Sequence, residues 1–186
     1  MAVGGAGIDI SALLDGATAF AERLIPLVVG ALAVLVGLVV IFSAIRNIFQ
    51  KGADGRAMAG GTEVGYGGIA LKLLVGGMLL RFSSTIEDTS NLLFGVGIQS
   101  YQGVLAYAPL PAQSGMWRQV FEVCLLWVVM IGWVGAFRGM LLWNGAANGG
   151  GSGGSSGDLF WRGLWHLIGG AAAVNMSGMI ASFVGS

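Results

Sequence analysis

An uncharged and strongly apolar stretch lies between Arg23 and Arg46 and comprises 22 residues, LIPLVVGALAVLVGLVVIFSAI. As an α-helix it would be about 33 Å long, enough to cross the roughly 30 Å hydrocarbon core of a bilayer. Pro26 lies near its start, where a missing N–H does little damage. The stretch therefore predicts a membrane-spanning helix over residues 24–49.

The composition of the whole chain favours the same environment. Charged residues make up 10% of the chain and hydrophobic residues 55%, whereas about 25% of residues in soluble domains are charged. The 34 glycines follow no collagen repeat, and glycine in an apolar chain is typical of closely packed membrane helices. A net charge of zero gives no basic footprint for sequence-specific nucleic-acid binding. We therefore expect an all-α, polytopic membrane helical bundle.

The first 23 residues are predicted to form an amphipathic segment, followed by a single membrane domain over residues 24–186. Ile10, Leu13 and Ala17 recur three and four residues apart, whereas Asp15 falls elsewhere on the helical wheel. A helix over residues 10–23 with this pattern would lie on the membrane surface or pack on a partner subunit.

Three more hydrophobic helices are predicted at residues 67–82, 118–143 and 159–184, which gives about four hydrophobic helices besides the amphipathic one. The connection over residues 83–117 is long for a structureless loop, so short helices or a packed surface are expected there. Residues 144–158 are rich in Gly and Ser and predict a flexible loop, with a composition that engineered linkers share.

Small residues recur along several predicted helices and would let neighbouring backbones approach closely, so we expect the protein to oligomerise through these glycine-rich helix faces. Gly135 and Gly139 form a GxxxG pair, and Asn175 could hydrogen-bond across a helix interface. The predicted helix-packing positions are Gly30, Gly37, Gly132, Gly135, Gly139, Gly169, Gly170, Asn175 and Gly178.

Basic residues are predicted to meet lipid headgroups at four positions: Arg46, Lys51, Arg56 and Lys72. Burying a cation without a partner costs several kcal/mol, whereas a basic group near an anionic leaflet gains about 1 kcal/mol. For Lys72, which lies inside a short apolar segment, pairing between helices is the alternative. The distribution of Lys and Arg favours both termini on the non-cytoplasmic side of the membrane. A bound phospholipid is the only non-protein component expected.

Catalysis is not indicated by any motif. The chain has no HExxH, CxxC or phosphate-loop spacing. His166 is one turn into its predicted helix, where an imidazole donating to a carbonyl is the ordinary arrangement. We therefore predict a protein that is not an enzyme, with no catalytic, metal or cofactor site.

Two segments, AFRGMLLW and HLIGGAAAVNMSGMI, together with the Gly-rich connection between them, resemble a known family. It comprises the small inner-membrane proteins of type IVB secretion systems, DotE/IcmC and DotV, and the related TraQ of conjugative plasmids. KLLVGGMLLRF followed by LLFGVG is similar to the middle of the same proteins, and the resemblance covers roughly residues 25–184. It implies a non-enzymatic subunit of a secretion or conjugation apparatus that assembles with itself and with other subunits. The resemblance also implies the bacterial inner membrane, where the non-cytoplasmic termini would be periplasmic.

Two other functions fit parts of the sequence. Apolar helices joined by a basic loop are also the plan of a conjugative pilin, which would bind lipid and become part of an extracellular filament. Lys72, His166 and Asn175 within apolar segments would fit a small channel or transporter. Mass measurement and imaging of the purified protein distinguish these functions.

Overall fold

The computed structural model describes residues 10–54, 65–95, 115–150, 155–176 and 178–180. These residues form helices and contain no strand, which confirms the all-α prediction for this part of the chain. The helices are α1 (Ile10–Asp54), α2 (Tyr66–Leu80), α3 (Phe82–Phe94), α4 (Gly115–Ala147) and α5 (Ser156–Val174).

Two helical hairpins make up the architecture. The most extensive contacts are between α4 and α5 and then between α1 and α2, while α2 also packs on α4. Phe82, at the start of α3, joins the hairpins, because its ring meets Trp133 and Phe137 edge to face at centroid distances of 5.7 and 5.9 Å. Buried side chains from all five helices form one apolar core, which includes Val40, Leu79, Ile86, Met140 and Leu167.

The N-terminal part of the fold differs from the prediction of two helices at 10–23 and 24–49. A single α1 runs unbroken for 45 residues, and the predicted boundary after residue 23 falls inside it. Ala, Leu and other good helix formers surround that point, so no residue there ends the helix. Pro26 therefore lies in a helix interior, where it removes one backbone hydrogen bond without ending the helix.

The predicted helix at 67–82 corresponds to α2, after which the chain turns sharply at Arg81. The axes of α2 and α3 are bent by 97°. Thr85 Oγ1 donates to the carbonyl oxygens of Met78 and Arg81, at 3.1 and 3.0 Å, and so satisfies acceptors at the end of α2. The helix α3 fits the expectation of short helices in the 83–117 connection, and residues 96–114 lie outside the described residues.

The bounds predicted for the flexible loop, 144–158, are wrong at both ends. Helix α4 continues to Ala147, where Asn148 Nδ2 donates to the Asn144 carbonyl at 2.8 Å. Helix α5 already starts at Ser156, because Ser155 Oγ accepts the backbone N–H of Asp158 at 3.3 Å as an N-cap. Residues 151–154 lie outside the described residues.

The described helices include two that are long and apolar enough to cross a membrane, Leu24–Gln50 in α1 and Val123–Ala147 in α4. The bent pair α2 and α3 could add a third, so the four predicted spans are not confirmed. Helix α5, Ser156–Val174, is not among the candidate spans, and its N-terminal half carries Asp158, Arg162 and His166. The described part of the chain therefore has helices suited to membrane association, and residues 181–186 lie outside the described residues.

Candidate functional site

The contact between α4 and α5 is built on four glycines in reciprocal pairs. A β-carbon added at Gly132 would lie 2.8 Å from the Gly170 carbonyl oxygen, and one at Gly170 would lie 2.7 Å from that of Gly132. Gly139 and Gly163 show the same relation, at 2.7 Å in both directions. The helices are therefore antiparallel and in backbone contact, at two points seven residues apart on each helix.

The spacing of the close contacts differs from the predicted GxxxG pair. Gly139 is in backbone contact, but a β-carbon at Gly135 would meet nothing nearer than 3.9 Å, an ordinary contact. The partner of Gly139 is Gly163, which the sequence prediction missed. The spacing in the sequence could have indicated Gly163 as a packing position, because Gly163 and Gly170 are seven residues apart, as are Gly132 and Gly139.

Trp143 closes one end of this contact. Its Nε1–H donates to the Phe160 carbonyl oxygen at 2.9 Å, and its ring stacks on that of Phe160 with a centroid distance of 5.4 Å. The absence of a side chain at Gly163 makes room for the indole, which is buried. The tryptophan thus fixes the start of α5 against the end of α4.

Replacing Trp143 by phenylalanine is expected to lower the free energy of unfolding by about 1–2 kcal/mol, since the hydrogen bond and part of the buried ring are lost. The measurement is unfolding in mild detergent. Trp127→Phe is the matched control, because Trp127 is 58% exposed. An equal loss of stability in both variants would contradict the assigned role of Trp143.

The contact between α1 and α2 uses a third glycine pair. A β-carbon at Gly37 would lie 3.0 Å from the Gly76 carbonyl oxygen, and one at Gly76 would lie 3.2 Å from that of Gly37. Gly37 was predicted as a packing position and Gly76 was missed. Ala33 and Ala44, both fully buried, lie on the same face of α1 as Gly37.

The remaining predicted packing positions have different surroundings. A β-carbon at Gly30 or Gly169 would meet nothing within 4 Å, so neither glycine packs against another helix within the described chain. These two predictions are not met inside the chain, because both positions fall off the contacting faces of their helices. Gly178 is buried.

Asn175 is fully buried and marks the end of α5. Its backbone has φ −98° and ψ 13°, its N–H donates to the Ala171 carbonyl at 3.0 Å, and its own carbonyl accepts from the Met179 N–H at 3.0 Å. The residue therefore interrupts the helix that the sequence predicted to run to residue 184, although residue 176 and residues 178–180 are helical again. It lies inside the fold, as expected for a polar packing residue.

Lys72 does not lie where a headgroup-binding residue was predicted. Its side chain is 3% exposed, and its Nζ donates to Ser43 Oγ of α1 at 3.4 Å. The arrangement matches the alternative prediction for this residue, a contact between helices. Because Cβ atoms tilt toward a helix N-terminus, the side chain of Lys72 is inclined toward the Tyr66 end of α2.

The other predicted headgroup residues are described only in part. Arg46 is exposed near the C-terminal end of the apolar part of α1. Lys51 belongs to the last turn of α1, its side chain lies outside the described part, and so does the whole of Arg56.

The polar groups of α5 form a local series along one helix. Arg162 and Asp158 are joined by an exposed ion pair at 3.0 Å, and His166 Nδ1–H donates to the Arg162 carbonyl oxygen at 2.8 Å. This is the hydrogen bond predicted for His166. Among the described residues, no group of three or more His, Cys, Asp or Glu side chains could hold a metal ion.

Comparison of the chain with protein-family models, curated proteins and solved structures finds no match. The geometry described above and the sequence resemblance are therefore the basis for the function.

Proposed function

We propose that this chain is a non-enzymatic structural subunit of a type IV secretion or conjugative DNA-transfer apparatus of the IVB kind, embedded in the inner membrane. The sequence resemblance supports the assignment to this class of apparatus. Its partners in this proposal are membrane lipids, further copies of the same chain and other subunits of the apparatus, with both termini periplasmic.

The observation that carries the proposal is a combination of two features: close backbone contacts between the helices of each hairpin, and an exposed apolar surface on α1. Within each hairpin, glycines bring the two helices into backbone contact: Gly37 and Gly76 in the first, and the four glycines of α4 and α5 in the second. By contrast, among the described residues 17% of the apolar segment of α1 is buried, against 39% of that of α4. Closely packed hairpins with one long helix that the described residues leave largely uncovered suit a subunit that is held by lipid and by neighbouring subunits.

The predicted role of the glycine-rich faces changes within this proposal. The sequence suggested that these faces bring separate chains together. Because Gly37, Gly132, Gly139 and Gly170 are filled by contacts inside the chain, contacts between copies fall on other surfaces.

A pilin-like subunit is the second candidate, favoured by the exposed Arg46 at the end of an apolar helix. In a filament this residue, together with Lys51 and Arg56, would hold phospholipid headgroups. The filament would then carry lipid in a fixed ratio to protein.

The two candidates are separated by purification in mild detergent, followed by mass measurement, electron microscopy and phosphorus analysis. A closed ring or a mixed complex with other envelope proteins is the expected result for the secretion subunit. A filament with phospholipid in a fixed ratio would favour the pilin, and a small closed oligomer that conducts ions would favour a channel. A monomer under all conditions would contradict the proposed function.

A further inference from the structure

One face of α4 stays uncovered when the described helices pack together. Its exposed side chains follow each other at spacings of three and four residues, as the members of one helix face do. They are Trp127, Ile131, Val134, Arg138 and Leu141. The four apolar members suit contact with lipid, but the guanidinium group of Arg138 does not.

Arg138 lies well inside the apolar segment of α4. It comes nine residues before the end of Val123–Ala147, which is about 14 Å along a helix that rises 1.5 Å per residue. Charged side chains at such a depth almost always pair with another group or face a polar cavity. In the part of the chain that the structure describes, Arg138 has no ion-pair partner. An acidic group of another molecule at the same depth would supply one.

Helix α3 carries the opposite charge at nearly the same depth. Phe82, its first residue, packs edge to face on Phe137, the neighbour of Arg138 in the sequence. Because the axis of α3 is bent by 97° from that of α2, α3 runs across the hairpins and its later residues stay near the level of Phe82. Glu87 and Asp88 lie on its exposed side, and neither carboxylate has an ion-pair partner among the described residues. Contact with lipid is therefore as unfavourable for this side of α3 as for Arg138.

We propose that the exposed face of α4 in one copy packs against α3 of a neighbouring copy, with Arg138 paired to Glu87 and Asp88. Copies inserted in one membrane share their orientation and depth, so the groups of opposite charge lie at the same level. Their attraction is strong away from water, and a guanidinium group forms two parallel hydrogen bonds with a carboxylate. Val134 and Leu141, one turn to either side of Arg138, shield the pair from water.

The two surfaces in this contact are different, so each copy offers one α3 surface and one α4 surface. Such a head-to-tail contact does not end with a dimer, because it closes into a ring or continues as a filament. The inference therefore rests on the proposed function in requiring an oligomer, and it adds the surfaces through which the oligomer forms.

Neutral substitutions test whether Arg138 takes part in assembly. Arg138→Gln is expected to lower the fraction of oligomer at least about fivefold at a fixed protein concentration in mild detergent, because a close charge pair is lost. Arg162→Gln is the matched control, since Arg162 is also exposed but its carboxylate partner, Asp158, belongs to the same helix. Equal effects of the two substitutions would overturn the contact.

Charge exchange tests the acidic side of the pair. Arg138→Glu alone, and Glu87→Arg together with Asp88→Arg, should each give mostly monomer, because like charges then face each other. All three substitutions together place opposite charges at the contact again and should return at least about half of the wild-type oligomer. A combined variant that unfolds at the wild-type temperature and stays monomeric would overturn the contact.

Crosslinking shows whether the pair joins two chains. In a Cys124→Ser background, which removes the one native cysteine, a tagged chain with Arg138→Cys and an untagged chain with Asp88→Cys are produced together. A short bifunctional thiol reagent should give at least about fivefold more mixed dimer than it gives with Arg138→Cys and Leu35→Cys, because only the first two positions face each other in the contact. Leu35 is a suitable control because it is 61% exposed on a different helix, α1.

The outcomes separate this contact from the proposed function. Oligomers that form without the mixed crosslink would overturn the contact and leave the proposed function intact, as would a crosslink to a different protein. Restored assembly after charge exchange, again without the mixed crosslink, would place the ion pair within one chain and would also overturn the contact. A wild-type chain that stays monomeric would overturn both.

Discussion

Replacing Gly170 with leucine is expected to separate α5 from α4 and to cause a large loss of stability. A β-carbon there would lie 2.7 Å from the backbone nitrogen of Ala136 and from the carbonyl oxygen of Gly132. Backbone atoms cannot rotate away as a side chain can, so the helices must move apart. Overpacking alone costs about 1–3 kcal/mol, and the separation also loosens the contact at Gly139 and Gly163.

The adjacent Gly169 supplies the matched control. Both glycines are in the interior of the same helix, so leucine changes helix propensity equally at both, but a β-carbon at Gly169 meets nothing within 4 Å. Gly169→Leu should therefore unfold at the wild-type temperature or above it in mild detergent, while Gly170→Leu unfolds well below it. Should the two variants unfold at the same temperature, α4 and α5 are not in backbone contact at Gly170.

The existence of most helices could be predicted from the sequence, because apolar length and periodicity are local properties. The apolar stretch after Arg23 and the tryptophan-rich stretch around Trp133 appear as the two helices that can span a membrane. Helix ends were less predictable, since they depend on single interactions. The Ser155 cap starts α5 within a Gly/Ser-rich segment, and the backbone at Asn175 interrupts the helical conformation inside an apolar one, before residues 178–180.

The sequence could indicate that glycines would be packing positions, but it could not indicate which glycines would lie opposite each other. Glycine-rich faces were recognised on α1, α4 and α5, but the sequence does not show which faces meet. Gly163 and Gly76 become packing residues because an antiparallel neighbour brings Gly139 and Gly37 opposite them. Gly169 does not contact α4, because it lies on a side of α5 that faces away from α4. Lys72 was uncertain for the same reason, because its surroundings depend on where α1 lies.

Replacing Lys72 with glutamate is expected to prevent stable packing of α2 against α1, whereas Lys72→Met is expected to be tolerated. The side chain is 3% exposed, and its one hydrogen bond among the described residues goes to the neutral hydroxyl of Ser43. A carboxylate at this place would lie among apolar neighbours such as Val75, and burying a charge without a partner costs several kcal/mol. Methionine has a similar length and flexibility and leaves no buried charge, so it can fill the same space.

The amount of each variant in the membrane and its unfolding temperature in mild detergent distinguish packing from ion binding at Lys72. If the stem of Lys72 packs between helices, Lys72→Met unfolds at or above the wild-type temperature and Lys72→Glu far below it. Leu74→Glu, in the same helix but 55% exposed, controls for the general cost of a carboxylate in α2. A Lys72→Met variant as unstable as Lys72→Glu would show instead that the ammonium group binds an anion. Loss of phospholipid phosphorus from that variant would identify the anion as a headgroup, because removing the cation removes the attraction that retained it.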